Sequence, residues 1–168
     1  MPFQSTVNTT LAFGLPGELI EDGPQRAESL VVNSAGANPN TIGHAYTKGN
    51  ATNIASVGGT IAAGRVFAGI LVNPKVYASY GGASGTLAPT LDVPDNAQAE
   101  FITMGTIVVQ LTGAAQIGDQ VCYNIATGAL SAVAPGAAAP TGSALVPGAV
   151  VYRYPTSGAG LAAIRLTN

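Results

Sequence analysis

The chain has 168 residues, enough for one domain, with a formal net charge of −2 and only 8% charged residues, where soluble proteins carry about 25%. Six scattered cations exclude the basic stripe that a nucleic acid or an anionic membrane surface requires, and a single cysteine, Cys122, excludes an internal disulfide or a cysteine zinc cage. Its 22 glycines and 11 prolines speak for turns, and 47% apolar residues fill one core and exclude a disordered tail.

Met1–Thr10 has no basic region leading into an apolar one, so no signal peptide is expected. Residues 1–28 are rich in turn residues (Phe13-Gly14-Leu15-Pro16-Gly17-Glu18, then Glu21-Asp22-Gly23-Pro24), with apolar side chains at no clean period. The pattern fits an extended arm that docks elsewhere, or an irregular strand with loops in the same core. Short β-branched or aromatic runs follow, most of them bounded by Gly, Pro, Asn or Asp. They predict strands at Ser29–Val32, Thr41–Tyr46, Arg65–Val72, Lys75–Tyr80, Glu100–Met104, Thr106–Leu111, Gln120–Ile125, Ala129–Val133, Ala149–Tyr154 and Leu161–Leu166. Between them Gly81–Pro89 has the composition of a long surface loop. Gly128 can supply the positive φ for a hairpin joining Val121–Ile125 to Ala129–Ser131, and a second hairpin turns through Pro155–Gly158.

Helix signals are nearly absent. The alanine run at Ala134–Pro140 is bracketed by prolines and reads as a loop. The longest apolar stretch, Ile61–Val72, is broken by Gly64, Arg65 and Gly69 and is too short to span a membrane, which needs about 20 residues. A soluble protein folding in a reducing cytoplasm is expected. The expected fold is all-β: a single β-sandwich or barrel, jelly-roll-like, over residues 29–168, with residues 1–28 as the arm.

The search for chemistry comes back empty. His44 is the only imidazole, and no carboxylate and nucleophile stand in a recognisable pattern beside it, so it reads as an ordinary strand residue. One His, one Cys and eight scattered carboxylates give no metal-ligand spacing. The pairs Asp92/Asp95 and Glu21/Asp22 lie in turns, where such side chains cap local backbone, and a sugar cleft lacks its tryptophan platform. Gly81–Gly85 has no following Lys-Ser/Thr, and Cys122 has no nearby cation to activate it. No enzyme, cofactor or metal is expected. A sparsely charged β protein without chemistry reads as a part of an assembly, because neutral surface is best covered by neighbours.

The order of motifs sharpens this. Thr6-Val7-Asn8, then Gly14-Leu15-Pro16-Gly17-Glu18-Leu19, then Gly23-Pro24-Gln25-Arg26 resembles the opening of the structural cement, or capsid decoration, proteins of tailed bacteriophages. Ile117-Gly118-Asp119-Gln120-Val121-Cys122-Tyr123 with Thr127-Gly128-Ala129-Leu130 is similar to a late hairpin of that family, and Ala149–Tyr154 with Gly160–Leu166 to its closing strand pair. Asn50–Pro89 departs most from the family's pattern.

The resemblance implies a virion protein, made in the host cytoplasm, that binds the outer surface of an icosahedral head, bridges capsomers and stabilises the expanded shell. Its partners would be the major capsid protein and further copies of itself, a homotrimer in preference to a dimer. Phe3, Leu11, Phe13, Leu15 and Pro16 of the arm would be the contact residues. An adhesin-like or carbohydrate-binding β-sandwich module is the alternative; a major shell or tube subunit fits less well, since the chain is short and lacks helices.

Overall fold

The computed structural model describes residues 13–36, 39–62, 64–73 and 92–167. The expected strand Lys75–Tyr80 and loop Gly81–Pro89 lie outside them. Ten strands and no helix occur among the described residues: β1 (Leu19–Ile20), β2 (Arg26–Val32), β3 (Ala45–Gly49), β4 (Ile54–Val57), β5 (Arg65–Leu71), β6 (Gln98–Leu111), β7 (Gln120–Asn124), β8 (Leu130–Val133), β9 (Ser143–Arg153) and β10 (Gly160–Thr167). The fold is all-β, as expected from the sequence.

Strand β6 is the spine. Its N-terminal half alternates exposed Gln98 and Glu100 with buried Ala99 and Phe101, the pattern of a strand with one wet face. From Thr106 to Val109 every residue is buried, because both faces are covered there. The sequence predicts a break at Gly105. The structure instead carries one strand through it, with Gly105 at φ +127 and register intact to Leu166 of β10. Glycine tolerates that dihedral, so the strand bends without ending.

The registers assign an edge of β6 to each neighbour. Ile107 pairs with both Leu19 and Ile164, Ile102 with both Ala27 and Ile70, and Met104 with both Arg26 and Thr167. Thus β1 and β2 run along one edge, and β10 and β5 along the other. Beyond the bend, β6, β10, β9, β7 and β8 close a five-stranded barrel, completed by the parallel Leu111–Leu130 bridge and the Thr112 amide donating to the Leu130 carbonyl at 2.9 Å. Ile107, Val109, Leu111, Val121, Tyr123, Leu130, Val151 and Ile164 belong to its core. Before the bend, β6, β2, β4, β3 and β5 close a second ring around Leu30, Val32, Tyr46, Val57, Leu71 and Phe101. Closure removes most exposed sheet edge from both.

The two rings are locked together by backbone. The Ala45 amide donates to the Gly128 carbonyl at 2.9 Å and the Gly59 amide to the Ile125 carbonyl at 2.7 Å, while within the second ring Gly58 donates to Ala45 at 2.8 Å. The Tyr123 hydroxyl, inside the first barrel's wall, donates to the Gly59 carbonyl at 2.8 Å. Gly58 and Gly128 both have positive φ, and a Cβ on either would lie 2.5 Å from a carbonyl oxygen of the other ring, so only glycine permits this approach.

Candidate functional site

The described residues of the expected arm begin at Phe13. Pro16-Gly17 forms the corner of a turn in which the Glu18 amide donates to the Leu15 carbonyl at 3.0 Å, with Gly17 at φ +80. Proline at the second and glycine at the third position is what a type II turn demands. The Glu18 carboxylate folds back to accept from the Leu15 amide at 3.0 Å. Gly17 donates to Val108 and Val108 to Glu18, both at 2.8 Å, so the turn is stitched to the edge of β6. The Gly17 carbonyl also accepts from Asn73, and a Cβ on Gly17 would lie 2.3 Å from Ile42, which ties the turn to the second ring as well.

The contact residues expected from sequence divide on this framework. Phe3 and Leu11 lie outside the described residues. Phe13 is 40% exposed and stacks on Tyr154, ring centroids 3.8 Å apart; Tyr154 is itself 45% exposed. Leu15 stands 56% exposed at the turn, whereas Pro16 is half-buried against Gly43. The outcome is an exposed Phe13–Tyr154 stack and an exposed Leu15 on a hydrogen-bonded turn. The expected boundary after residue 28 falls within β2, and Leu19–Ile20 pair with β6.

Gln116–Asp119 forms a second turn of the same design. Asp119 accepts from the Gln116 amide at 2.8 Å, Gly118 has φ +95, and Ile117 projects from the tip 63% exposed.

The residues weighed for chemistry are engaged in holding the fold. His44 directs Nδ1 to the Thr127 carbonyl at 2.9 Å, and burial holds its pKa below the usual value against the opposing pull of that hydrogen bond and of Asp92. It lies just before β3, since the expected strand Thr41–Tyr46 begins only at Ala45. Cys122 is buried, its sulfur 3.0 Å from the Ser131 hydroxyl. Asp92 accepts from the Thr41 hydroxyl at 2.8 Å. Asp95 accepts from the Asn40 amide side chain and the backbone amides of Ser34 and Gly36, so it bridges distant segments where the sequence implies a local cap. No group of three metal-ligating side chains forms among the described residues.

One cluster escapes the sequence reading. Tyr152, Arg153 and Arg165 gather at Asp22, although one arginine lies on each arm of the last hairpin and the aspartate lies some 130 residues away. A register shift opposite Ala163 and Ile164 makes Tyr152 a bulge residue, which brings Tyr152 and Arg153 together where a regular strand would separate them. The signal available in the sequence is only the pair of arginines flanking a tight turn.

Residues 3–167 match the family described as structural cement protein (E217 gp24/Pam3 gp6). The chain belongs to this phage structural cement protein family. No curated protein matches it. Among solved structures it is similar to a chain in the capsid of Myoviridae phage XM1, with a TM-score of 0.65 at 17% identity, covering 99% of this chain and 98% of that one. At that identity the likeness establishes the fold. Family membership gives this cement protein a capsid-associated structural role, as a component of the virion.

Proposed function

We propose that this cement protein binds the outer surface of an icosahedral phage head as an oligomer, bridges neighbouring capsomers of the major capsid protein, and stabilises the expanded shell. The family match over nearly the whole chain carries the reading. The exposed apolar side chains of Phe13 and Leu15, held on a turn stitched to the barrel, support a contact through the arm, with Phe3, Leu11 and Pro16 continuing it. The paucity of charge fits a surface that is covered in use. No catalysis enters the role. A ligand that binds only the expanded shell stabilises that state by mass action, so a rigid, pre-formed binder suffices. The preferred oligomer is a trimer, because three-fold junctions are where capsomers need joining.

The test mixes purified protein with unexpanded and expanded shells of the phage's own major capsid protein, and follows co-sedimentation and the shell's melting temperature. The expected result is binding to expanded shells and a rise in their melting temperature with protein concentration. Protein left in the supernatant with both forms would sink the proposal.

A further inference from the structure

Where β6 bends at Gly105, an open cleft of about 390 Å³ lies between the β1–β2 connection (Asp22, Gly23, Pro24) and the end of β10 (Arg165, Leu166, Thr167). Its charged wall is unbalanced. A single carboxylate oxygen, Asp22 Oδ2, faces two guanidinium groups, Arg153 at 3.3 Å and Arg165 at 4.0 Å. Among the described residues one positive charge has no carboxylate of its own, and Arg165, the more distant, is the one that lines the cleft. The Arg165 guanidinium carbon lies 3.5 Å from the Tyr152 ring centroid, a cation–π contact that holds the group at the cleft while its side chain stays 39% exposed. Met104 and Pro24 add apolar wall beside it. Elsewhere Lys48 is matched by Glu28, and Arg65 is turned onto Thr47 and Ser56.

We infer that this cleft receives an aspartate or glutamate side chain from the shell surface to which the protein binds, with the Arg165 fork as the recognising group; the inference rests on the capsid-binding reading above. An acidic surface is opposed by the chain's net charge of −2, and the Arg153–Arg165 pair offers it a local point of attraction. A planar guanidinium held at the cleft suits a carboxylate, and the cleft admits a short aliphatic stem. Nucleic acid is the poorer match, because a phosphate backbone needs several spaced cations.

Two substitutions of opposite sign test it on the full chain, with the fold of each variant checked by circular dichroism and melting. Arg165→Gln is expected to weaken binding to expanded shells by roughly tenfold at low salt. Asp22→Asn keeps an acceptor oxygen for Arg153 but removes the internal negative charge, and should tighten binding several-fold, a gain that damage to the fold does not produce. Both differences should shrink at high salt, and poly-glutamate should compete while duplex DNA does not. Unchanged binding by R165Q, weakening by both variants, or equal competition by DNA would overturn the inference while leaving capsid binding intact. A wild-type protein that fails to bind shells removes the capsid reading, and this inference with it.

Discussion

Asp95 gathers three donors from a loop that lies some 60 residues earlier in the chain: Asn40 at 2.7 Å, and the Ser34 and Gly36 amides at 3.0 and 3.1 Å. Those bonds, led by the one from Asn40, hold its carboxyl below the ordinary 3.8, outweighing the opposing desolvation. His44 is held below its ordinary 6.5 by burial at the joint between the rings. For both groups the unfolded chain takes up a proton at a pH where the folded chain does not, so both favour unfolding on acidification. Melting temperature should fall in two steps: one beginning as pH drops through about 6.5 and belonging to His44, the other beginning near 3.8 and belonging to Asp95. His44→Gln should flatten the first step and Asp95→Asn the second, each leaving the other in place. A melting series from pH 8 to pH 3 on the three proteins checks this, and one featureless slope shared by all of them would contradict it.

At the scale of elements, the entry turn separates stability from binding. Leu15 is more than half exposed, so Leu15→Ala should change stability by no more than about 0.5 kcal/mol while weakening attachment to shells. Gly17→Ala should behave in the opposite manner, because φ +80 and a contact of 2.3 Å to Ile42 leave no room for a methyl group. Removing residues 1–16 forfeits the Phe13–Tyr154 stack, worth about 0.5–1.5 kcal/mol, yet keeps the bonds of Gly17 to Val108 and Asn73. Shell binding should therefore fall far more than the melting temperature, and equal losses would make the arm part of the core. The same turn illustrates what sequence can and cannot convey. Pro16-Gly17 announces a turn because the chemistry is local, and strands such as β7 and β10 announce themselves by alternation and β-branching. Strand β4 does not, since Ile54-Ala55-Ser56-Val57 is short and half small or polar. The first half of β9 is hidden by Pro147 and Gly148, which are accommodated where the register against β7 shifts between Gln120 and Cys122. The Asp22–Arg153–Arg165 cluster was out of reach altogether, because it depends on a bulge and on pairing across the whole chain.

In the whole molecule, two rings share one strand and are clasped a second time by glycine backbone. Sharing β6 means that neither ring keeps a complete wall if the other opens: losing β2 and β5 bares β6 up to the bend, and losing β10 bares it beyond. Unfolding should therefore be a single cooperative transition, despite two distinct hydrophobic clusters. The clasp makes the coupling testable at one atom. Gly128→Ala places a methyl group 2.5 Å from the Ala45 carbonyl at φ +71, which should cost about 2 kcal/mol or more, equivalent to about 4–8 °C in melting temperature. If the rings are coupled, amide exchange should accelerate together in β3, which belongs to the second ring, and in β10, which belongs to the first and lies away from the substitution. Acceleration confined to the β7–β8 turn and β3, with β10 unchanged, would show instead that the rings open independently. Coupling also bears on the proposed role: a binder that braces a shell transmits force from one capsomer to the next only if its two halves cannot part at the joint. A wild type with two calorimetric transitions would therefore count against bridging by a single chain, and would leave that work to contacts between copies.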